Sequence, residues 1–210
     1  AHVPWVKPGQ RAYSEKDLPI GMEKQQLFEE GKKLLLEIGY LPIGMDHFAL
    51  PNEPLFIAKQ EGKLHRNFMG YTSSNTQLMV GLGMSAISDS WYAFAQNEKS
   101  VEEYQKRVEE GIIPVVKGHI LNEEDLKLRR HILNLMCQLE TTFTPENSFE
   151  ELPEALKKIQ EMQEDGLVEI SGNTVKITEK GRVFTRNVAM AFDLRMMRKM
   201  PETRLFSMTV

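Results

Sequence analysis

Leu167-Val-Glu-Ile170 and Val175-Lys-Ile-Thr178 are two short β-branched runs flanking Gly172-Asn173. That pair supplies the positive φ values a tight turn needs, so the stretch predicts a compact β-hairpin. Working outward, Phe149 to Asp165 predicts a helix ended by Gly166. Before it, Asn122 to Leu139 reads as a helix with Asn122 as N-cap, acids in the first turn, and an apolar face of Leu126, Ile132, Leu133, Leu135, Met136 and Leu139. After the hairpin, Thr178 is placed to cap a last helix running through Phe184, Val188, Phe192 and Met197. Helix, helix, hairpin, helix is a winged-helix-like order. It assigns residues 119–210 to a mainly helical C-terminal domain.

Residues 1–118 carry a different pattern, that of an α/β unit. The opening, through Ile20, holds Pro4, Pro8, Gly9 and Pro19 without a stable period and reads as loop. Met22 to Ile38 has helical spacing, Gly39 is a C-cap candidate, and Tyr40 to Met45 is a short apolar run. Helix, glycine, strand is the rhythm of a βα unit. A short helix follows over Pro54 to Gln60, closed by Gly62. Leu78 to Ile87 reads as a buried strand running into a glycine-rich turn, either a ligand-facing loop or plain packing. Ser100 to Glu110 predicts a charged helix, and Gly111 to Gly118 a connection between domains.

Composition narrows the function. Apolar residues make up 41% of the 210, and 26 basic against 30 acidic side chains leave a net charge of −4, which disfavours a nucleic-acid or anionic-membrane binder. The helix from Phe149 to Asp165 sharpens this: its six acids and two bases would repel the phosphates of a DNA groove. No apolar run approaches the roughly 18 residues that span a bilayer, and no signal peptide opens the chain, so a cytoplasmic location is expected. One cysteine, Cys137, excludes an internal disulfide or a multi-cysteine metal site, and its apolar neighbours make it a buried thiol.

Chemistry-bearing motifs are sparse. There is no P-loop, no G-x-G-x-x-G, no G-x-S-x-G and no helical zinc spacing among the five histidines. Asp46-His47 is a carboxylate–imidazole neighbour pair, but adjacent strand residues face opposite sides and form no dyad unless the strand has ended. His65-Arg66, in an aromatic and glycine-rich segment, suits carboxylate recognition; the competing reading is a surface salt bridge. By chemistry alone no complete active site is visible.

A resemblance supplies what the motifs do not. Ile43-Gly-Met-Asp-His-Phe-Ala49, Gly62-Lys-Leu-His-Arg-Asn-Phe68, Gly70-Tyr-Thr72, Gly83-Met-Ser-Ala-Ile-Ser88 and Tyr92-Ala-Phe-Ala-Gln-Asn97 together resemble the oxygen-independent coproporphyrinogen III oxidases, radical S-adenosylmethionine enzymes of haem biosynthesis. The match continues collinearly through Asp165-Gly-Leu-Val168 and Lys180-Gly-Arg182 to Phe192-Asp193, and it takes in the opening Ala1-His-Val-Pro4.

The resemblance implies the C-terminal part of a longer enzyme: the closing portion of an incomplete βα barrel over residues 1–118, then the helical domain over 119–210. It implies oxidative decarboxylation of two propionates of coproporphyrinogen III to vinyls, giving protoporphyrinogen IX. It further implies S-adenosylmethionine, an external electron donor, and a [4Fe–4S] cluster whose ligands lie outside this chain, which alone is then expected to be inactive. A monomeric parent enzyme is expected. Ala1 and Ile87 fall where the family contacts S-adenosylmethionine, and no catalytic or metal-ligating residue is assigned. Met69 stands where family members can carry a glutamine; a thioether donates no hydrogen bond. His65, Arg66 and Tyr71 are the candidate substrate-binding residues, chosen because Arg and His suit propionates beside aromatic surface. Two alternatives are a non-catalytic relative that binds haem or S-adenosylmethionine, and a winged-helix adaptor.

Overall fold

The computed structural model describes residues 8–198, so Ala1 and the rest of the opening motif lie outside the described residues. Helix α1 spans Gly21–Glu37, and Gly39, at φ +92°, turns the chain out of it. The amide N–H groups of Gly39 and Tyr40 donate back to the Leu36 and Leu35 carbonyls, satisfying the helix end. No residue of α1 is buried, and Leu27, Leu34 and Ile38 are exposed. Strands β1 (Leu41–Gly44) and β2 (His47–Ala49) follow, then helix α2 (Pro54–Gln60), with Gly62 at φ +68°. The βα reading of this region fails in its topology. β1 pairs antiparallel with β2 through a turn at Met45, whose φ is +49°.

Two more antiparallel units complete the first part. β3 (His65–Asn67) and β4 (Gly70–Thr72) form a two-residue hairpin. β5 (Leu78–Met79), β6 (Ile87–Ser90), β7 (Ala93–Asn97) and β8 (Val115–Ile120) form a sheet in sequence order, with helix α3 (Val101–Glu109) between its last two strands. Every strand pair among the described residues is antiparallel, so these residues form no parallel barrel sheet of their own. The second half of the segment expected as connection, Gly111 to Gly118, belongs to β8, and the boundary expected between residues 118 and 119 falls inside that strand.

Helix α4 (Glu123–Gln138) is the central column. Asn122 and Asp125 cap it reciprocally: the Asn122 side chain accepts from the Asp125 N–H at 2.8 Å, and Asp125 accepts from the Asn122 N–H at 3.1 Å. β9 (Glu140–Thr142), helix α5 (Leu152–Glu164), β10 (Val168–Ser171) and β11 (Thr174–Ile177) follow, the strands ordered β10-β11-β9. The hairpin read from Gly172-Asn173 is therefore present, with β9 added to its edge. The expected single last helix is instead a 3₁₀ turn (Lys180–Phe184), α6 (Thr185–Met190) and α7 (Leu194–Arg198). Glu179, not Thr178, occupies the cap position of that turn; Thr178 stands one residue earlier, its hydroxyl accepting from the Gly181 N–H at 3.0 Å.

One face of α4 enters a core with Leu135, Ile159, Val168, Val175, Val188 and Phe192; another enters a second core with Ile43, Leu64, Tyr71, Met136 and Cys137. Because α4 contributes to both, it ties the hairpins of the first part to the helices of the second. Among the described residues no helix is long and apolar enough to cross a membrane.

A wholly buried histidine makes the first core sensitive to acid. His131 Nε2 lies 3.0 Å from the Asn147 carbonyl, which only accepts, so Nε2 carries the proton and Nδ1 accepts from the Thr141 hydroxyl at 2.8 Å. Burial holds its pKa below the ordinary value of 6.5. The unfolded chain then binds a proton that the folded chain refuses, so stability falls as pH drops through about 6.5. Denaturant unfolding between pH 7 and pH 5 checks this: a His131→Gln variant should lose that slope, and an unchanged slope would assign it elsewhere.

Candidate substrate-binding cleft

The β3–β4 hairpin, the β6–β7 pair, α4, α6 and α7 enclose an open cleft of about 550 Å³. Its walls are mostly apolar, including Phe68, Phe94, Ile132 and Met136, yet Arg66, Arg129, Arg186 and Arg195 all reach it. Phe68 and Phe94 meet edge to face, with centroids 5.0 Å apart.

Arg66 is carried by Tyr71. The two are cross-strand partners in the hairpin, and the guanidinium carbon sits 4.8 Å from the Tyr71 ring centroid. Tyr71 is buried, its hydroxyl donating to the Met136 carbonyl on α4 at 2.8 Å, and burial pushes that hydroxyl's pKa up to about 12. Gly44 makes room for it: a Cβ there would lie 2.5 Å from the Tyr71 hydroxyl oxygen. Tyr71 is not part of the cleft wall; it anchors the residue that is.

Among the described residues Arg66 makes no ion pair, and its Nη1 is buried without a hydrogen-bond partner. His65 is half-buried and off the cleft wall. Desolvation first, then the nearby Arg129 guanidinium, lowers its pKa below the usual value, so at neutral pH it is an uncharged imidazole.

Two ion-pair clusters brace the walls. Arg129 Nη2 donates to Asp89 at 2.7 Å and Nη1 to the Ser90 and Trp91 carbonyls at 2.8 and 3.3 Å, with the guanidinium 4.9 Å from both the Trp91 and Phe94 rings. Arg195 holds Asp125 bidentately at 2.6 and 2.7 Å, and His119 Nε2 lies 3.0 Å from the same carboxylate. From sequence Asp125 is only one of the first-turn acids of α4, and nothing there marks Arg129 or Arg195. The available signal was position: Asp125, Arg129, Ile132 and Met136 lie on one helical face, so charges interrupt the apolar stripe of α4.

Other predicted residues have different surroundings. Ala1 is outside the described residues. Ile87 opens β6 opposite Gln96, and the space at Gly81 is filled by the Ile87 carbonyl, 2.8 Å from where a Cβ would sit. Asn97 Nδ2 donates to the Gly81 and Gly83 carbonyls, each at 3.0 Å. The glycines thus serve a pinned loop. The buried strand expected over Leu78 to Ile87 is only the two-residue β5, with Leu78, Val80 and Leu82 exposed. Met69 stands at the β3–β4 hairpin tip, exposed.

Asp46 and His47 do form a pair, at 2.9 Å, because the Met45 turn ends β1 before them. Cys137 is buried, and desolvation lifts its thiol to about 12. Among the described residues no group of three or more His, Cys, Asp or Glu side chains could hold a metal ion. A single buried cysteine does not fit the ligand set of an iron–sulfur cluster, so no chemistry is routed through one here.

No protein-family model matches the chain. It is 36% identical over 199 residues to the oxygen-independent coproporphyrinogen III oxidase of Escherichia coli K12, covering 92% of this chain and 44% of that protein. It is 34% identical over 220 residues to the Synechocystis protein of the same name, covering 100% of this chain and 47% of the other. A solved structure of the Escherichia coli coproporphyrinogen III oxidase, described as a radical SAM enzyme, superposes with a TM-score of 0.84 at 35% identity, over 93% of this chain and 46% of that one. The chain thus spans about half the length of the relatives it matches.

Proposed function

We propose that this chain, a homologue of the oxygen-independent coproporphyrinogen III oxidases over a portion of their length, supplies the substrate-holding part of such an enzyme. The reaction proposed for the whole enzyme is oxidative decarboxylation of two coproporphyrinogen III propionates to vinyls. S-adenosylmethionine and an iron–sulfur cluster would supply the hydrogen abstraction, with cluster ligands outside this chain, an external electron donor reducing the cluster, and the one electron left after loss of CO₂ passing to an acceptor. The chain's own residues bind, orient and exclude water.

Ala1 and Ile87 are proposed to contact S-adenosylmethionine. Arg66 is proposed to hold a propionate, with Tyr71 fixing its guanidinium and His65 donating at most one N–H. Residues 1–118 would flank the closing part of the barrel with antiparallel sheets, and 119–210 would cover the cleft. The observation that carries this reading is the cation-bearing apolar cleft within a chain so similar to these enzymes.

A chimera in which this chain replaces the matching portion of the Escherichia coli relative tests it. The chimera should turn over coproporphyrinogen III. Arg66→Ala should raise KM about tenfold or more with kcat little changed, since a charge-assisted bond to a carboxylate contributes about 1.5–3 kcal/mol. An unchanged KM would remove Arg66 from the substrate site, and an inactive but folded chimera would count against the whole reading.

A further inference from the structure

The charges of the cleft do not cancel evenly. Arg129 is committed to Asp89 and two carbonyls, Arg195 to Asp125, and Arg186 has interactions of its own. Arg66 is different: among the described residues it has no carboxylate partner, and its buried Nη1 has no acceptor. Unpaired buried guanidinium is costly, because the lost hydration is not replaced. Its guanidinium carbon lies over the Tyr71 ring at 4.8 Å, and Tyr71 in turn is held by the Met136 carbonyl. A guanidinium that lines the cleft and is not spent on a protein carboxylate matches one carboxylate of a ligand. The neighbouring wall, with Phe68 and Phe94 edge to face, offers apolar surface to the pyrrole rings and their methyl groups.

We propose that this cleft is a one-carboxylate anchor: Arg66 holds a single propionate of a tetrapyrrole, and the rest of the molecule is held by apolar contact. The identity of the tetrapyrrole rests on the reading in the preceding section; the single anchor does not. The consequence goes beyond substrate binding. Two decarboxylations convert a tetrapropionate into a dipropionate, so a propionate remains for Arg66 in substrate, intermediate and product alike. The same anchor serves both rounds, and the cleft does not sort substrate from product by charge. It also follows that binding belongs to this chain and needs neither cluster nor S-adenosylmethionine.

The test is a titration of the 210-residue chain with stable oxidised porphyrins, followed by porphyrin absorbance and fluorescence. The probes are coproporphyrin III with four propionates, protoporphyrin IX with two, and the tetramethyl ester of coproporphyrin III with no free carboxylate. The two acids should bind with affinities within about threefold of one another, the ester at least about tenfold more weakly, and Arg66→Ala should weaken both acids about tenfold or more.

A dipropionate binding more than about tenfold more weakly than the tetrapropionate would show several anchors and overturn the proposal. Equal binding of ester and acids would reduce the site to apolar adsorption, and an unchanged Arg66→Ala would place the anchor elsewhere. The ester comparison needs no variant, so it decides the matter even if Arg66→Ala misfolds. Failure of the isolated chain to bind either acid would end this proposal while leaving the chimera's KM test standing, so the two readings fail separately.

Discussion

Gly181→Ala should lose more than about 3 kcal/mol of unfolding free energy, a large share of the roughly 5–15 kcal/mol that holds a domain folded. Gly181 is buried in the 3₁₀ turn after the β10–β11 hairpin, and a Cβ there would overlap the Leu167 carbonyl oxygen. It would also lie 2.8 Å from the Leu167 carbonyl carbon and 3.0 Å from Ile177 Cγ2. Neither side has room to retreat. The Leu167 carbonyl accepts from the Thr178 amide at 3.0 Å and from its hydroxyl at 3.1 Å, while that hydroxyl accepts the Gly181 N–H. The obstacle is backbone, so no rotamer change relieves it. Denaturant unfolding of the purified variant is the measurement. A loss under about 1 kcal/mol would mean that the turn yields, contrary to this geometry.

Asp125→Ala is the second large effect, expected at about 3 kcal/mol. Asp125 is buried at the N-terminus of α4, where it accepts from Arg195 twice, from the Asn122 amide and from His119. Its loss removes the side-chain half of the α4 capping box and the bidentate tie to α7, leaving α7 with Arg198 to Glu124 and Glu151 and with the core packing of Leu194 and Met197. The pH dependence has a definite sign. Hydrogen bonding by Arg195 foremost, aided by the Asn122 amide and His119, holds the carboxyl well below the usual carboxylate range. A depressed folded pKa gives stability that is complete above the unfolded value, about 3.9, and is lost only as pH falls through the folded value. The gap between wild type and Asp125→Asn should therefore persist from pH 7 down to about 4 and close below it. A gap that has already vanished at pH 5 would contradict the ion pair.

What local chemistry specifies was legible. The Asn122 cap, the Gly39 and Gly166 helix ends, the Pro54–Gln60 helix and the Gly172-Asn173 hairpin all depend on residues within a few positions of one another. Strand pairing was harder. Tyr40 to Met45 after a helix reads as βα by order alone, yet β1 turns straight back onto β2, because Met45 adopts a positive φ that its side chain does not advertise. The same turn joins Asp46 to His47, a pair that strand alternation argued against. Leu78 to Ile87 looked buried by composition, but hydrophobicity does not say whether a partner surface covers it.

The cleft divides in the same way. His65, Arg66 and Tyr71 could be picked from sequence because they are neighbours in a segment rich in Gly, Asn and aromatic residues. Their roles could not: β-pairing sets Arg66 against Tyr71, and the contact with Met136, 65 residues away, decides that Tyr71 supports while Arg66 faces the cleft. Arg129 with Asp89, and Arg195 with Asp125, are 40 and 70 residues apart, separations at which no local pattern identifies partners. By itself the sequence determined the helices, caps, hairpin turn, single buried thiol and family likeness, because each is written in residue type and short spacing. Only the tertiary structure decided which arginine remains uncompensated, because a charge is free or spent according to what long-range packing brings beside it.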